Sequence, residues 1–524
     1  MSIPLFPLLD RKQLSRRSFL LTSSLVAATL WSGKALGVVT KNPKFTAYPF
    51  QLGVASGDPT PDGIVLWTRL APQPLEGGGM THDSVEVAWQ IAEDEQMSKV
   101  VQKGTTVAAP EWAHSVHVEV AGLKPDRWYW YQFKAGNEVS QKGRTRTMPA
   151  DNSTPDKLRF AFASCQHYES GYFTAYEHMV KEDLDLVLHL GDYIYEYAGI
   201  EKRVRKHLGP ECKSLENYRT RYAQYKTDPA LQAMHAAAPW IVTPDDHEVE
   251  NNYANDIPGK PGQTKTDFLM RRACAYQAYY EHMPLRRRSI PKGPDIQLYR
   301  DLKFGRLAEF HVLDTRQYRT DQPCGDGNKP PCEESLSPDG TILGSKQREW
   351  LFNGLSKSPA RWNVLAQQVM MARVDRKAGA EVGYSMDQWP GYEIDRRKVL
   401  KFLGERKISN PVVLAGDIHS NWANELLTDF DNLESKSVAT EFVGTSISSS
   451  GDGTNNPKNL EQTYSENPFV KFHNAERGYV RCEINAKEWR TDYKTVEFVS
   501  KKDAPLNTRR SFVVESGHAK LQKA

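Results

Sequence analysis

Four apolar runs in this chain end in residue types that ligate metal ions, and that repetition constrains the fold more than any other feature. Leu184–Leu188 runs into His189-Leu-Gly-Asp-Tyr-Ile-Tyr-Glu196, and Leu158–Ala163 into Ser164-Cys165-Gln166-His167. Trp240–Thr243 leads through Pro244 into Asp245-Asp246-His247-Glu248, and Pro411–Ala415 into Gly416-Asp417-Ile418-His419. Short apolar runs bounded by turn residues read as buried strands, and in an open α/β sheet ligands sit just outside the carboxyl ends of strands. Four such ends in one domain predict a layered α/β fold carrying a two-metal hydrolytic centre.

The donors are chemically mixed. Asp192 can bridge two ions with its two oxygens, and Tyr195, three residues on, reaches the same centre if the loop is tight. Phenolate ligation favours Fe³⁺, a Lewis acid able to deprotonate a phenol of ordinary pKa about 10. Cys165 offers a thiolate; Asp245, Asp246, Asp417 and His419 are placed to complete two sites, with an amide oxygen from Asn251 or Asn252. His247 directly follows the paired carboxylates, placed to contact a phosphoryl oxygen or to protonate a leaving group. Taken singly, each has a plainer explanation. A Gly-Asp after a strand is commonly a cap or turn, an Asp-His pair a surface hydrogen bond, and a buried cysteine inert packing. The conjunction carries the argument.

At 524 residues the chain can form two or three domains. Ser15-Arg16-Arg17-Ser18-Phe19-Leu20 opens an apolar segment reaching Trp31, followed by Lys34-Ala35-Leu36-Gly37. A basic region, a short apolar core and small residues near a cut predict a signal peptide over 1–37, too short to span a membrane, and the paired arginines point to the twin-arginine export machinery. The mature protein is then expected in the periplasm or outside the cell, with no transmembrane segment. Residues 1–37 hold five Lys/Arg and one Asp, so removing their +4 from the chain's +3 leaves −1. That balance argues against nucleic-acid or anionic-membrane binding through a broad basic field, and Arg286-Arg287-Arg288 reads as a solvated loop. Six cysteines are too sparse for a disulfide scaffold. Cys324 and Cys332 bracket a turn-rich loop that an exported protein can close with a bridge.

Residues 45–150 read as all-β. Gly63–Trp67, Val85–Gln90, His114–Val120 and Trp128–Phe133 are short strands separated by turns, which predicts a sandwich of immunoglobulin or fibronectin type with no ligand set of its own. It is expected to pack on the catalytic domain and help shape the cleft. Polar Ala150–Asp156 marks a boundary, and 157–510 make the second domain. There Tyr172–Glu182, Leu215–Tyr225, Asp267–His282, Ser345–Leu355 and Asp395–Leu403 predict helices. Leu307–Leu313, Trp362–Ala366, Gly478–Ile484 and Thr491–Val499 predict further strands. Strands at both ends of an alternating region suggest two stacked sheets flanked by helices.

These residues resemble the alkaline phosphatase D (PhoD) family of the metallophosphoesterases. The matching segments are Gly53–Pro59, Trp67-Thr68-Arg69, Ser164-Cys165-Gln166, Gly191–Glu196, Asp245–Glu248, Leu313–Tyr318, Gly344 with Gln347 and Trp350-Leu351, Trp389 with Gly391-Tyr392, and Gly416–His419. They run from about residue 50 to the C-terminal strands. The resemblance implies the αββα metallophosphatase fold and a centre of Fe³⁺ and Ca²⁺. By it, Cys165, Asp192, Tyr195 and Asp417 hold Fe³⁺, and Asp192 also faces Ca²⁺. Asp246 or Asn251 oxygens and His419 lie on the calcium side or at the phosphate. Arg316 or Arg319 is placed to clamp phosphate, or to order its loop by a salt bridge, and Tyr392 falls on the substrate side. Two departures stand out: His167 makes a Cys-x-His after the first strand, and Pro390 stands where the family often has Asp.

The expected activity is hydrolysis of phosphate esters by an exported enzyme, the ions polarising phosphoryl oxygens and generating a hydroxide or oxide nucleophile, with His247 and Arg316 assisting. Monoester (alkaline phosphatase), diester and phospholipase D-like substrates all remain open. Two other classes compete. A non-catalytic, calcium-stabilised binding protein would make Cys165, Tyr195 and His247 needless, because calcium prefers oxygen. An electron-transfer iron protein would show a redox wave without phosphatase activity.

Overall fold

The computed structural model describes residues 39–524; the expected signal peptide over 1–37 lies outside the described residues. In the larger domain, parallel strands Lys157–Ala163, Leu186–His189 and Trp240–Val242 lie side by side. Val470–Asn485, Glu488–Val496 and Leu506–Glu515 extend that sheet by antiparallel pairing from Lys157–Ala163. A second sheet runs Arg300–Phe304, Ala308–Val312, Trp362–Ala366, Pro411–Ala415, Ser437–Val443, Asn421–Leu427. The 16-residue strand Val470–Asn485 belongs to both, its first part pairing with Asn421–Leu427 and its second with Lys157–Ala163. It folds one sheet over the other.

Alternation along each strand assigns the layers. Phe160, Phe162, Leu186, Leu188, Val412 and Leu414 meet between the sheets. Ala161, Ala163 and Val187 point outward into a layer that includes helices Leu215–Lys226, Pro229–Ala237 and Lys265–His282. Val413 and Ala415 face Gly344–Lys357 and Glu393–Glu405 on the opposite side. Because both faces of these strands are covered, they read as unbroken apolar runs. The result is the αββα order. Helix Leu215–Lys226 starts at a capping box, Ser214 and Asn217 satisfying each other's backbone N–H. Among the described residues no helix is long and apolar enough to cross a membrane.

The N-terminal domain is a β-sandwich. Ser84–Ala92, Val100–Ala108, Trp128–Ala135 and Gly143–Arg146 form one sheet, Val54–Thr60, Gly63–Arg69 and Ser115–Val120 the other. Val54, Ile64, Leu66, Val87 and Tyr131 fill the space between them. This domain does more than pack on its neighbour. Gly57 pairs in parallel with Trp240, so one sheet continues into the catalytic sheet. A Cβ at position 57 would stand 2.7 Å from the Trp240 carbonyl oxygen, which leaves glycine as the residue that fits. Of the arginine triplet expected in solvent, Arg287 and Arg288 are exposed. Arg286 is instead half-buried, donating Nη2 to Asp58 O at 2.8 Å across the same joint. Cys324 and Cys332 are bonded, and their loop pairs Asn328–Lys329 with Tyr384–Ser385.

Candidate metal centre

The loops leaving the strands come together because glycine precedes the acids. A Cβ on Gly191 would overlap the Asp245 side chain, and one on Gly416 would overlap Ser164. Each glycine therefore lets one strand end close on another. The next residues take left-handed backbone: φ is 58° at Cys165, 56° at Asp192, 66° at Asp417 and 52° at His419. Left-handed φ costs about 1–3 kcal/mol per non-glycine residue, least for Asp. Four such positions at one place mark a site whose geometry the packed sandwich enforces.

Three donor groups overlap there. Ligand atoms of Cys165, Asp192 and His419 lie within 4.8 Å of one another, as do those of Asp192, Asp246 and His247, and those of Asp245, Asp246 and Asp417. Asp192 and Asp246 link the groups into one cluster. Tyr195 Oη donates to Asp192 Oδ2 at 2.8 Å and sits 3.1 Å from His419 Nε2. Ser449 Oγ donates to Tyr195 Oη at 2.8 Å.

Arg316 is enclosed by this cluster. Its Nε donates to Asp245 at 2.5 Å and its two terminal nitrogens to Asp387 at 2.7 and 2.9 Å. Asp246 and Asp417 stand 3.7 and 3.8 Å away. Asp245, Asp246, Asp387 and Asp417 thus face the guanidinium groups of Arg316 and Arg319. Burial pushes the Asp192 and Asp245 carboxyls well up, and Asp417 up to about 6. At Asp246 burial acts the same way, but Arg316 and His247 outweigh it and hold the carboxyl down. Burial, then Asp192, also raises the Cys165 thiol and the Tyr195 phenol. A cation reverses that balance, since it favours the ionised form of every one of these donors.

Two glutamates set the loops. Glu248 accepts from Tyr193 N at 2.6 Å, Asp245 N at 2.8 Å and Asp192 N at 3.1 Å, tying the Asp192 turn to the Asp245 turn. Glu196 accepts from His247 Nδ1 at 2.7 Å, which leaves Nε2 as the ring's remaining nitrogen. Burial opposes charge on His247, yet Asp246, Glu196 and Asp192 together push its pKa well up.

The other expected residues are placed as follows. Asn251 Oδ1 accepts from Tyr197 Oη at 3.0 Å, while Asn252 gives its backbone N–H to Asp246 at 2.6 Å. His167 is turned aside, with Nδ1 2.7 Å from Ser170 Oγ and its ring edge-on to Tyr195. The forks of Arg316 and Arg319 close on Asp387 rather than on open space, both guanidinium groups having no exposed surface. Tyr392 lies behind them, its hydroxyl donating to Thr320 O at 2.8 Å and its ring 5.1 Å from the Arg319 guanidinium. It joins the cluster only through Arg319 and Asp387. Pro390 occupies the first turn of the short helix Trp389–Tyr392, where a missing N–H is harmless.

Sequence reasoning missed Asp387, Gln388 and Ser449, and gave no role to Glu196 or Glu248. Gln388 donates to Asp417 at 3.0 Å. Asp387 and Gln388 directly precede the Trp389 segment, which was the available signal.

The donor set fits a bound cation. Asp192 Oδ1, Asp245 Oδ2 and Asp246 Oδ1 are buried with no hydrogen-bond partner among the described residues, and an orphaned buried oxygen is costly unless an ion or donor meets it. Carboxylate, imidazole, phenol and thiol donors at the strand ends of a two-sheet sandwich define the class, a metal-dependent hydrolase. The comparisons narrow it. A family model for PhoD-like phosphatases matches residues 160–493, and one for their N-terminal domain matches 37–149. Alkaline phosphatase D of Bacillus subtilis (strain 168) is 51% identical over 518 residues, 97% of this chain and 89% of that protein. A solved structure of PhoD aligns with a TM-score of 0.90 at 53% identity, covering 92% of this chain and 93% of that one. The chain belongs to the PhoD-like phosphatase family and is a phosphoric ester hydrolase.

Proposed function

We propose that the enzyme hydrolyses phosphate esters outside the cytoplasm with a centre of Fe³⁺ and Ca²⁺. The observation that carries the site is the trio of orphaned carboxylate oxygens on Asp192, Asp245 and Asp246. Cys165, Asp192, Tyr195 and Asp417 would hold the harder-to-satisfy Fe³⁺, the ion that accepts thiolate and phenolate together; Asp246, with His419 or Asn251, would serve Ca²⁺. When bound, the ions supply Lewis-acid polarisation of the phosphoryl group and an activated water.

The chain's own residues do the rest. His247 is held by Glu196 so that its second nitrogen is presented toward Asp192 and Asp246, the position from which a proton can pass to a leaving oxygen. Arg316 and Arg319, locked on Asp387, act by neutralising the carboxylates and holding the cluster compact, not by gripping substrate. Export rests on the Arg16-Arg17 signal and on the Cys324–Cys332 bridge, a feature of oxidising compartments.

The test is elemental analysis of protein exported by its own signal, paired with turnover of p-nitrophenyl phosphate and bis-p-nitrophenyl phosphate. Iron with calcium-dependent turnover, both lost in Asp192→Ala, is the expected result, and the ratio of the two rates assigns monoester or diester preference. Zinc in place of iron, or full activity in Asp192→Ala, overturns the reading.

A further inference from the structure

Trp67-Thr68-Arg69 takes no part in the metal centre, yet Arg69 is only 3% exposed. Its Nε donates to Ala113 O at 2.9 Å, and Nη1 meets His282 Nε2 at 2.7 Å. His282 Nδ1 lies 2.7 Å from Ala278 O. That carbonyl can only accept, so Nδ1 carries the proton and Nε2 is the acceptor. Both partners of Arg69 are therefore neutral, and it makes no ion pair among the described residues. The acid that acts on Arg69 electrostatically, Glu281, is taken by Arg219 at 2.5 and 2.8 Å. A buried cation without a counter-ion is expensive, and here the missing charge has a place to sit.

Nη2 of Arg69 makes no hydrogen bond among the described residues and lies beside Gly78. It borders a cavity of about 190 Å³ between the sandwich and helix Leu215–Lys226, lined also by Gly77, His82, Arg219 and Thr220. Arg219 commits Nε and Nη2 to Glu281 and leaves Nη1 without a partner among the described residues. Gly77–Gly79 turn the chain at φ of 73°, 93° and 71°, so that wall carries no side chains. Glu216 is the one carboxylate lining the cavity, and it is exposed.

We propose that this cavity binds a small oxyanion, inorganic phosphate, between Arg69 of the sandwich and Arg219 of the catalytic domain. Each arginine offers the cavity one free terminal nitrogen, a charged donor of the kind that oxyanions accept, and phosphate is the product of phosphomonoester hydrolysis. Helix Leu215–Lys226 also carries Arg221 and Tyr225, whose side chains hold the backbone of Tyr195.

The test is calorimetric titration of inorganic phosphate into the holoenzyme, comparing wild type with Arg69→Met and with His82→Glu. His82 is exposed at the cavity mouth, so the second variant adds a repelling charge without disturbing the core. Wild type is expected to bind two phosphates, and each variant to weaken one of them by about tenfold or more while turnover at saturating substrate stays unchanged. Asp192→Ala reports the other site, so failure of the cavity and failure of the metal-centre reading show in different proteins. A single phosphate site in wild type, or two sites of unchanged affinity in His82→Glu, overturns the proposal.

Discussion

Lys226 offers a quantitative check on how the two domains meet. It closes helix Leu215–Lys226 with its ammonium 4.3 Å from the centre of the Trp67 ring and 5.4 Å from that of Tyr193. It is 1% exposed, and burial pushes its pKa down from 10.5 to about 7. At about 1.36 kcal/mol per pH unit, that displacement is worth roughly 5 kcal/mol against the folded state once both states are charged. The unfolded chain takes up the proton first as pH falls, so stability is highest above 10.5, is lost progressively as pH drops from there to about 7, and levels off below. Lys226→Met keeps an unbranched stem against the same rings and removes the titration. Thermal unfolding across a pH series should find the variant more stable than wild type by about 5 kcal/mol near pH 6, with the gap closing through the alkaline range. A variant less stable than wild type near pH 6, or a difference independent of pH, refutes the claim that the ammonium is buried without compensation.

Two substitutions probe the metal centre through its supports. Gly191→Ala places a Cβ against Asp245 at a backbone φ of 111°; separating the two loops by even about 1 Å is expected to cost on the order of 100-fold in turnover. Elemental analysis should show metal lost in parallel, and full metal content with full activity would contradict the packing argument. Glu196→Gln weakens the hold on His247, and kcat is expected to fall about 10–100-fold with metal content unchanged. If metal is lost instead, Glu196 supports the ligands and not the proton donor.

The fold was legible where strands are apolar on both faces. Trp362–Ala366 is a strand over the expected residues, and Lys157–Ala163 and Pro411–Ala415 fall where their apolar runs put them. It was illegible where a central strand carries buried polar groups. Asn421–Leu427 and Ser437–Val443 were not recognised, yet they pair with each other across register-matched Asn424 and Glu441. Asn424 donates to Glu441 at 2.9 Å, and Glu441 also accepts from Met371 N and Ala372 N. Burial pushes its carboxyl up to about 7. Side chains satisfied this way look like loop residues until their partners, tens of residues distant, are in place.

The same distance separates what could be read of the site from what could not. Cys165, Asp192, Asp245, Asp246, Asp417 and His419 follow strands directly, so proximity along the chain announces them. What each group does depends on pairings that no local pattern contains. Arg316 resembles a phosphate clamp by type and loop position, but Asp245 and Asp387, each 71 residues away, take three of its nitrogens. Glu248 looks like one more acid in a run of them, yet its three backbone contacts show that it holds the turns together. A cluster with this excess of carboxylates is compact only because fixed cations neutralise part of the charge. Within the cluster, the oxygens that remain orphaned after Arg316 and Arg319 are satisfied belong to Asp192, Asp245 and Asp246, and a bound cation there would meet all three.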